Sequence, residues 1–320
     1  MNIFLRTIIF IIITLSTNLH AAQLVDKSSI KRVSPWGKED QAGSSNRITK
    51  DTVLRALSFI SHGKIVELSF VHQATMPIAN GRSFKLITPS FPTGGPSGQH
   101  DIVWNDEYFS GELGHMGTQF DSLSHIGQRV KLEDGSQQDV YYNGFTGDQL
   151  KSPYGVKKLG VEHIKPFVAN SYLIDISGAK GLKSLPENYE VTMADVRLAL
   201  SKQGIKDTDI QPGDAVFFNY GWWRFWPDKK VLSSRPGINN EIAMWLVNKK
   251  ISLVGSDNST DRGGSHAVHF TMMVEHGILN LEFMNYAELI SDNVSQFTLF
   301  FSPLRLKGAT GSPARPIAIY

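Results

Sequence analysis

Residues Gly114–His125 read GHMGTQFDSLSH. His115, Gln119, Asp121 and His125 fall within eleven residues, and Gly114 and Gly117 bracket His115. The segment lacks an apolar stripe at helical spacing, so a tight irregular turn is expected rather than a helix. Glycine lets such a turn take positive φ or come close to a ligand. An imidazole, an amide oxygen and a carboxylate aimed at one point are donors that hold a hydrolytic metal ion. The spacing is not the H-E-x-x-H of helical zinc sites. Histidines and aspartates in loops also serve ordinary hydrogen bonds, and the segment alone does not separate the two roles.

A second cluster lies far downstream, in HAVHFTMMVEHGILNLE, with His266, His269, His276 and Glu282. His269–His276 reads as a helix that Gly277 ends. His269 and Glu282 can converge only if the chain turns back after that glycine. The other reading is a surface helix with incidental histidines.

Around these clusters, strand and helix patterns alternate. Ser171–Ile176 (SYLIDI), Asp214–Tyr220 (DAVFFNY), Ile251–Gly255 (ISLVG) and Gln296–Phe301 (QFTLFF) are short apolar runs rich in β-branched and aromatic residues. Lys64–Phe70 alternates as a strand, and Pro89–Gln99 has the Pro, Gly and Ser content of a loop. Thr49–Ile60, Thr192–Gln203 and Asn239–Lys249 read as helices, the first two with threonine caps. The interleaving indicates a mixed α/β domain. No repeat or linker divides it.

Composition narrows the function. Of 320 residues, 41% are hydrophobic and 19% charged, a globular balance. Lys and Arg total 32 against 30 Asp and Glu, without the basic excess of a nucleic-acid binder. There is no cysteine, which excludes disulfides, thiolate-bound zinc and cysteine nucleophiles. No G-x-S-x-G elbow marks a serine hydrolase, and no G-x-G-x-x-G follows a strand.

Met1–Ala22 (MNIFLRTIIFIIITLSTNLHAA) has the basic start, short apolar core and small-residue end of a signal peptide. The expected organisation is a signal at 1–22, an arm and first helix at 23–60, and one domain at 61–320. After cleavage no stable membrane anchor is expected, and the location is periplasmic or secreted. Asn258-Ser259-Thr260 and Asn293-Val294-Ser295 fit the N-glycosylation pattern, which matters only in a eukaryotic secretory route.

The pattern His115-x-Gly117-Thr118-x-x-Asp121-x-x-x-His125 resembles the H-x-G-T-H-x-D-x-P-x-H signature of the metal-dependent cyclase-like hydrolases, which include bacterial kynurenine formamidase and isatin hydrolase. Further positions in the same order are similar to that family. They are Pro212-Gly213-Asp214, Tyr220-Gly221-Trp222, Pro236-Gly237, Ala243 with Trp245-Leu246, Val254-Gly255-x-Asp257, His269, Gly277-Ile278 and Glu282, then Leu304–Gly308, Gly311-Ser312-Pro313 and Arg315. The resemblance spans about Lys64–Ala318. It implies a compact α/β domain with a mixed sheet or flattened barrel flanked by helices, the cyclase-like swivelling β/β/α fold, usually as a homo-oligomer. It implies His115, Asp121, His269 and Glu282 as ligands of a divalent metal, manganese or zinc, with the number of ions open, and His125 as the catalytic acid–base.

Two positions depart from the family pattern. Gln119 stands where histidine is usual, and Leu123 where proline is. Glutamine can ligate through its carbonyl oxygen, a harder neutral donor than imidazole, or can hydrogen-bond a water or substrate instead.

The implied activity is hydrolysis of a small amide, cyclic imide or lactone by metal-activated water. The alternative is a non-catalytic small-molecule-binding protein on the same fold. Trp222, Trp223, Phe225 and Trp226 are candidates for an apolar pocket wall or for core packing, and Arg224 and Arg262 for a substrate carboxylate.

Overall fold

A computed structural model describes residues 33–79 and 81–320. The expected signal peptide and the beginning of the arm lie outside the described residues. Nine strands form one mixed sheet: β1 Ile65–Glu67, β2 Gln119–Asp121, β3 Phe167–Asp175, β4 Ala215–Asn219, β5 Leu253–Ser256, β6 Leu279–Glu282, β7 Gln296–Phe301, β8 Gly311–Pro313 and β9 Ile317–Ile319. Their order across the sheet is β1-β9-β7-β3-β4-β5-β6-β2-β8. β3 to β6 are parallel to one another, and antiparallel strands extend the sheet on both sides.

The apolar runs of the sequence are the central strands, because these strands are covered on both faces. Side chains alternate across a strand. In β4, Ala215 and Phe217 enter one core, while Val216 and Phe218 enter the other. β3 divides Ala169 and Leu173 from Tyr172 and Ile174 in the same way. The first core is closed by Tyr142, Phe145, Leu150, Leu159 and Ile164 from the connection before β3. The second is closed by Val196, Ala199 and Leu200 of α2 (Met193–Lys202) and by Ile242, Ala243 and Leu246 of α3 (Asn240–Lys249).

The helices begin at residues whose side chains cap them. Thr192 and Asn239 accept backbone N–H groups at the starts of α2 and α3. Thr49 does the same for α1 (Lys50–Leu57), where Thr52 returns a bond to the Thr49 N–H. Before that helix, the described part of the arm packs on the body. Ser34 donates its N–H to Asn143 at 2.7 Å, and the buried Ser44 hydroxyl donates to the Ser252 carbonyl at 2.6 Å.

Two expectations are corrected and one is refined. Pro89–Gln99 is not all loop, because Gly94–Ser97 pairs with Ile102–Trp104, inside a hairpin of Phe84–Ile87 with Tyr108–Gly111. Gly114–His125 is not wholly irregular, because its centre is β2, held between β6 and β8. The expected His269–His276 helix is a turn, Ala267–His269, followed by a π-helix over Phe270–Glu275. Gly277, at φ +63°, ends it. Among the described residues no helix is long and apolar enough to cross a membrane.

Asp257, just past β5, fixes the turn after β4. Its carboxylate accepts the N–H groups of Tyr220 at 2.9 Å and Trp223 at 3.1 Å. Gly221 stands in that turn at φ +77°, where a Cβ would meet the Lys183 carbonyl oxygen at 2.1 Å. Burial pushes the Asp257 carboxyl up to about 7, against the backbone donors that hold it down.

Two outcomes are expected. Phe217→Ala should lower the unfolding free energy by about 3–5 kcal/mol in urea titration, since it empties a wholly buried site; a loss below about 1 kcal/mol would contradict the packing. The folded protein holds the Asp257 proton above the pH at which the unfolded chain releases it. Stability from this group is therefore present at low pH and lost as pH rises from about 4 through about 7, by at most about 1.4 kcal/mol per unit. Asp257→Asn should remove that slope, and parallel pH–stability curves for the two proteins would refute it.

Candidate metal centre

Register builds the floor of the site. β2 lies antiparallel to β6, with Gln119 opposite Glu282, Phe120 opposite Leu281 and Asp121 opposite Asn280. Alternation sends Phe120 and Leu281 into the first core and leaves the four polar residues on the other face of the pair. All four are buried. Gln119 directs its amide nitrogen at Asp121 (3.3 Å) and at Glu282 (3.4 Å). Asn280 reaches Asp121 at 3.2 Å and Glu282 at 3.1 Å.

His269 comes in from the short helical turn after β5. Asp261 accepts the N–H groups of Val268 (2.9 Å) and His269 (3.0 Å), which satisfies the start of that turn. The same carboxylate bonds His269 Nδ1, which assigns Nε2 to the site. Nε2 stands 3.5 Å from Asp121 Oδ2 and 3.3 Å from Glu282 Oε1. Glu282 Oε1 also accepts the Ser259 hydroxyl at 2.8 Å and the Thr260 N–H at 3.1 Å. The π-helix starts directly after His269.

On the other flank, His115 bonds Asp121 Oδ1 through Nδ1 and the Thr310 hydroxyl through Nε2, each at 3.0 Å. Gly311 lies against this ring, where a Cβ would come within 2.6 Å of His115 Cε1. His125 stacks on His115, with ring centroids 3.7 Å apart.

Charge dominates this buried cluster. Burial alone would raise the Asp121 and Glu282 carboxyls. The nearby His125, His115 and His269 instead hold Asp121 well below the usual range, and His269 holds Glu282 down. Burial would lower His269, but bonds to Asp121, Asp261 and Glu282 raise it. Burial foremost, with His115 and His269, lowers His125 to about 4 against the pull of Asp121. Two sets of donors come within 4.8 Å of one another: His115, Asp121 and His125; and Asp121, His269 and Glu282. Asp121 belongs to both. Either set offers the nitrogen and oxygen donors that suit a divalent cation.

A cavity of about 200 Å³ opens over these residues. Its wall includes His115, Gln119, His125, His269 and Glu282, so the two sequence clusters do meet. His276 is not on that wall, but His266 is. Trp226 is the only member of the aromatic group there, stacked on Phe70 at 4.6 Å. Trp222 is wholly buried in the second core, with Phe225 packed against it. Arg224 donates to the Lys183 carbonyl, and Arg262 lies 3.7 Å from Glu190, both away from the cavity. The arginines on its wall are Arg82 and Arg235. Asn258 is wholly buried, which excludes glycosylation there in the folded protein.

Sequence reasoning missed Asp261, Asn280, Ser259 and Thr310. Asn280 was within reach, since it precedes Glu282 by two residues and shares its face. Asp261 and Ser259 follow the carboxyl end of a parallel strand, where ligand sites of open sheets gather.

The family model described as "Putative cyclase" matches residues 66–262. No curated protein matches this chain. A solved structure described as a novel cyclase is 29% identical, with TM-score 0.76, covering 89% of this chain and 98% of its own. Isatin hydrolase A from Ralstonia solanacearum is 20% identical, with TM-score 0.57, covering 80% and 91%. The isatin hydrolase A of Labrenzia aggregata, bound to benzyl benzoate, is 20% identical, with TM-score 0.56, covering 80% and 93%. The two isatin hydrolases share the fold. With more than half of its length matched by the family model, the chain belongs to the cyclase family.

Proposed function

We propose that this protein is a metal-dependent hydrolase of small amides, cyclic imides or lactones, acting outside the cytoplasm. The observation that carries the reading is the buried meeting of Asp121, His269 and Glu282, with Asp261 behind His269. Buried carboxylates are stable when paired with positive charge, and one imidazole is shared here among three of them. A divalent cation fits that donor set. Asp121, His269 and Glu282 would hold it, with His115 beside Asp121. A cation bound there supplies carbonyl polarisation and a lowered pKa for water.

The chain's own residues do the rest. Asp261 fixes the His269 tautomer, so that Nε2 faces the site. Asn280, Ser259 and the Thr260 N–H hold the carboxylates in place. Gln119, as placed, donates to Asp121 and Glu282 and so supports the ligands. His125 is on the cavity wall, and no described side chain hydrogen-bonds its ring. It is placed to take a proton from water and return it to the leaving amine or alkoxide. Trp226 and Phe283 give the substrate an apolar surface.

Asp121→Asn and Glu282→Gln should lose bound metal in elemental analysis, together with turnover of formanilide or isatin. His125→Asn should keep its metal and lose about 10²–10⁴-fold in kcat. Undiminished turnover by chelated, metal-free protein would sink the reading. Asp261→Asn should weaken metal binding by about 10–100-fold without unfolding the protein; unchanged affinity would show that Asp261 does not orient His269.

A further inference from the structure

Arg235 is the least explained charge beside the cavity. It is among the residues that line the wall, its Nε is buried without a hydrogen-bond partner, and it forms no ion pair among the described residues. Its backbone is anchored. The Arg235 carbonyl accepts the Gly263 N–H at 2.8 Å, and Gly237, two residues on, pairs with Glu190. A buried guanidinium donor without an acceptor is costly unless something arrives to meet it.

The charge balance points the same way. Glu282 is the only carboxylate among the residues that line the cavity. Arg235 acts on Glu282 only over distance, with no ion pair or hydrogen bond between them. On the hydrolase reading, on which this inference rests, the divalent cation takes Asp121 and Glu282 as direct partners, and Arg235 is left on the wall without one. Arg82 adds a second positive charge, though one of its nitrogens is held by the His115 carbonyl at 2.6 Å. Trp226 and Phe283 supply an apolar surface in the same cavity. A cation beside an apolar wall suits a molecule with an apolar body and an anionic end.

We propose that Arg235 binds a carboxylate carried by the substrate, so that the enzyme selects anionic amides or lactones over neutral ones of the same shape. Arg235 on this account is a specificity residue. It takes no part in the chemical step.

The test is equilibrium binding of benzenesulfonate and of methyl phenyl sulfone, measured by calorimetry on the full-length protein. The two probes are close in size, differ in charge and are weak metal ligands, so direct coordination does not mimic the effect. The protein should bind the sulfonate about 10- to 100-fold more tightly, the span of a hydrogen bond to a charged group. Arg235→Gln should bring the ratio near one with affinity for the sulfone unchanged, and Arg235→Lys should restore part of the preference. Equal binding of the two probes by the unaltered protein, or an unchanged ratio in Arg235→Gln, would overturn the proposal. Metal content is assayed on each sample. Failure of the hydrolase reading shows as an empty sample, and failure of the anion proposal shows as a lost or unmoved ratio.

Discussion

Asp121 and Glu282 lie diagonally across adjacent strands on one face, and both are buried. Two carboxylates held this way repel each other and lose their hydration, so positive charge must be built around them. His269 supplies some of it and is fixed by Asp261, which also serves as the cap of the turn that carries the histidine. Asn280 and Gln119 give neutral donors across the strand pair, and His115 closes the other flank. The local fold therefore gathers donors around a point of concentrated negative charge. That is a costly thing to build unless a cation belongs there.

Positioning of this kind needs stiff supports. β2 has only three residues, yet it is clamped between β6 and β8, and its middle residue, Phe120, is anchored in the first core. A one-residue slip would exchange Phe120 for Gln119 or Asp121 and bury the ligands in the core. Gly311 serves the same end, because a side chain there would push His115 away from Asp121. Strand register and a single missing Cβ set the geometry that the chemistry requires.

Much of this was legible in the sequence. The central strands announced themselves as apolar runs because both of their faces are covered, and Thr49 and Thr192 marked helix starts with cap residues that the structure uses. His115, Asp121, His125, His269 and Glu282 could be singled out by residue type and by resemblance, and they do converge. What stayed hidden depended on pairing. Nothing local says that Gln119 faces Glu282 across a sheet 163 residues later, and hence that its amide meets carboxylates. Arg224 and Arg262, the candidates for a substrate carboxylate, bond elsewhere, whereas Arg235 reaches the cavity only through the fold of the Pro236-Gly237 segment. A π-helix also escapes periodicity, since its first turn reads like an α-helix.

The central claim is that the buried acidic cluster is a cation site. Anomalous diffraction from crystals grown with manganese or zinc addresses it directly. The account predicts a peak within about 2.0–2.3 Å of Asp121, His269 Nε2 and Glu282 donor atoms, with any second ion shared through Asp121 toward His115. A map with no peak at this cluster, under conditions in which the ions are in excess, would contradict it.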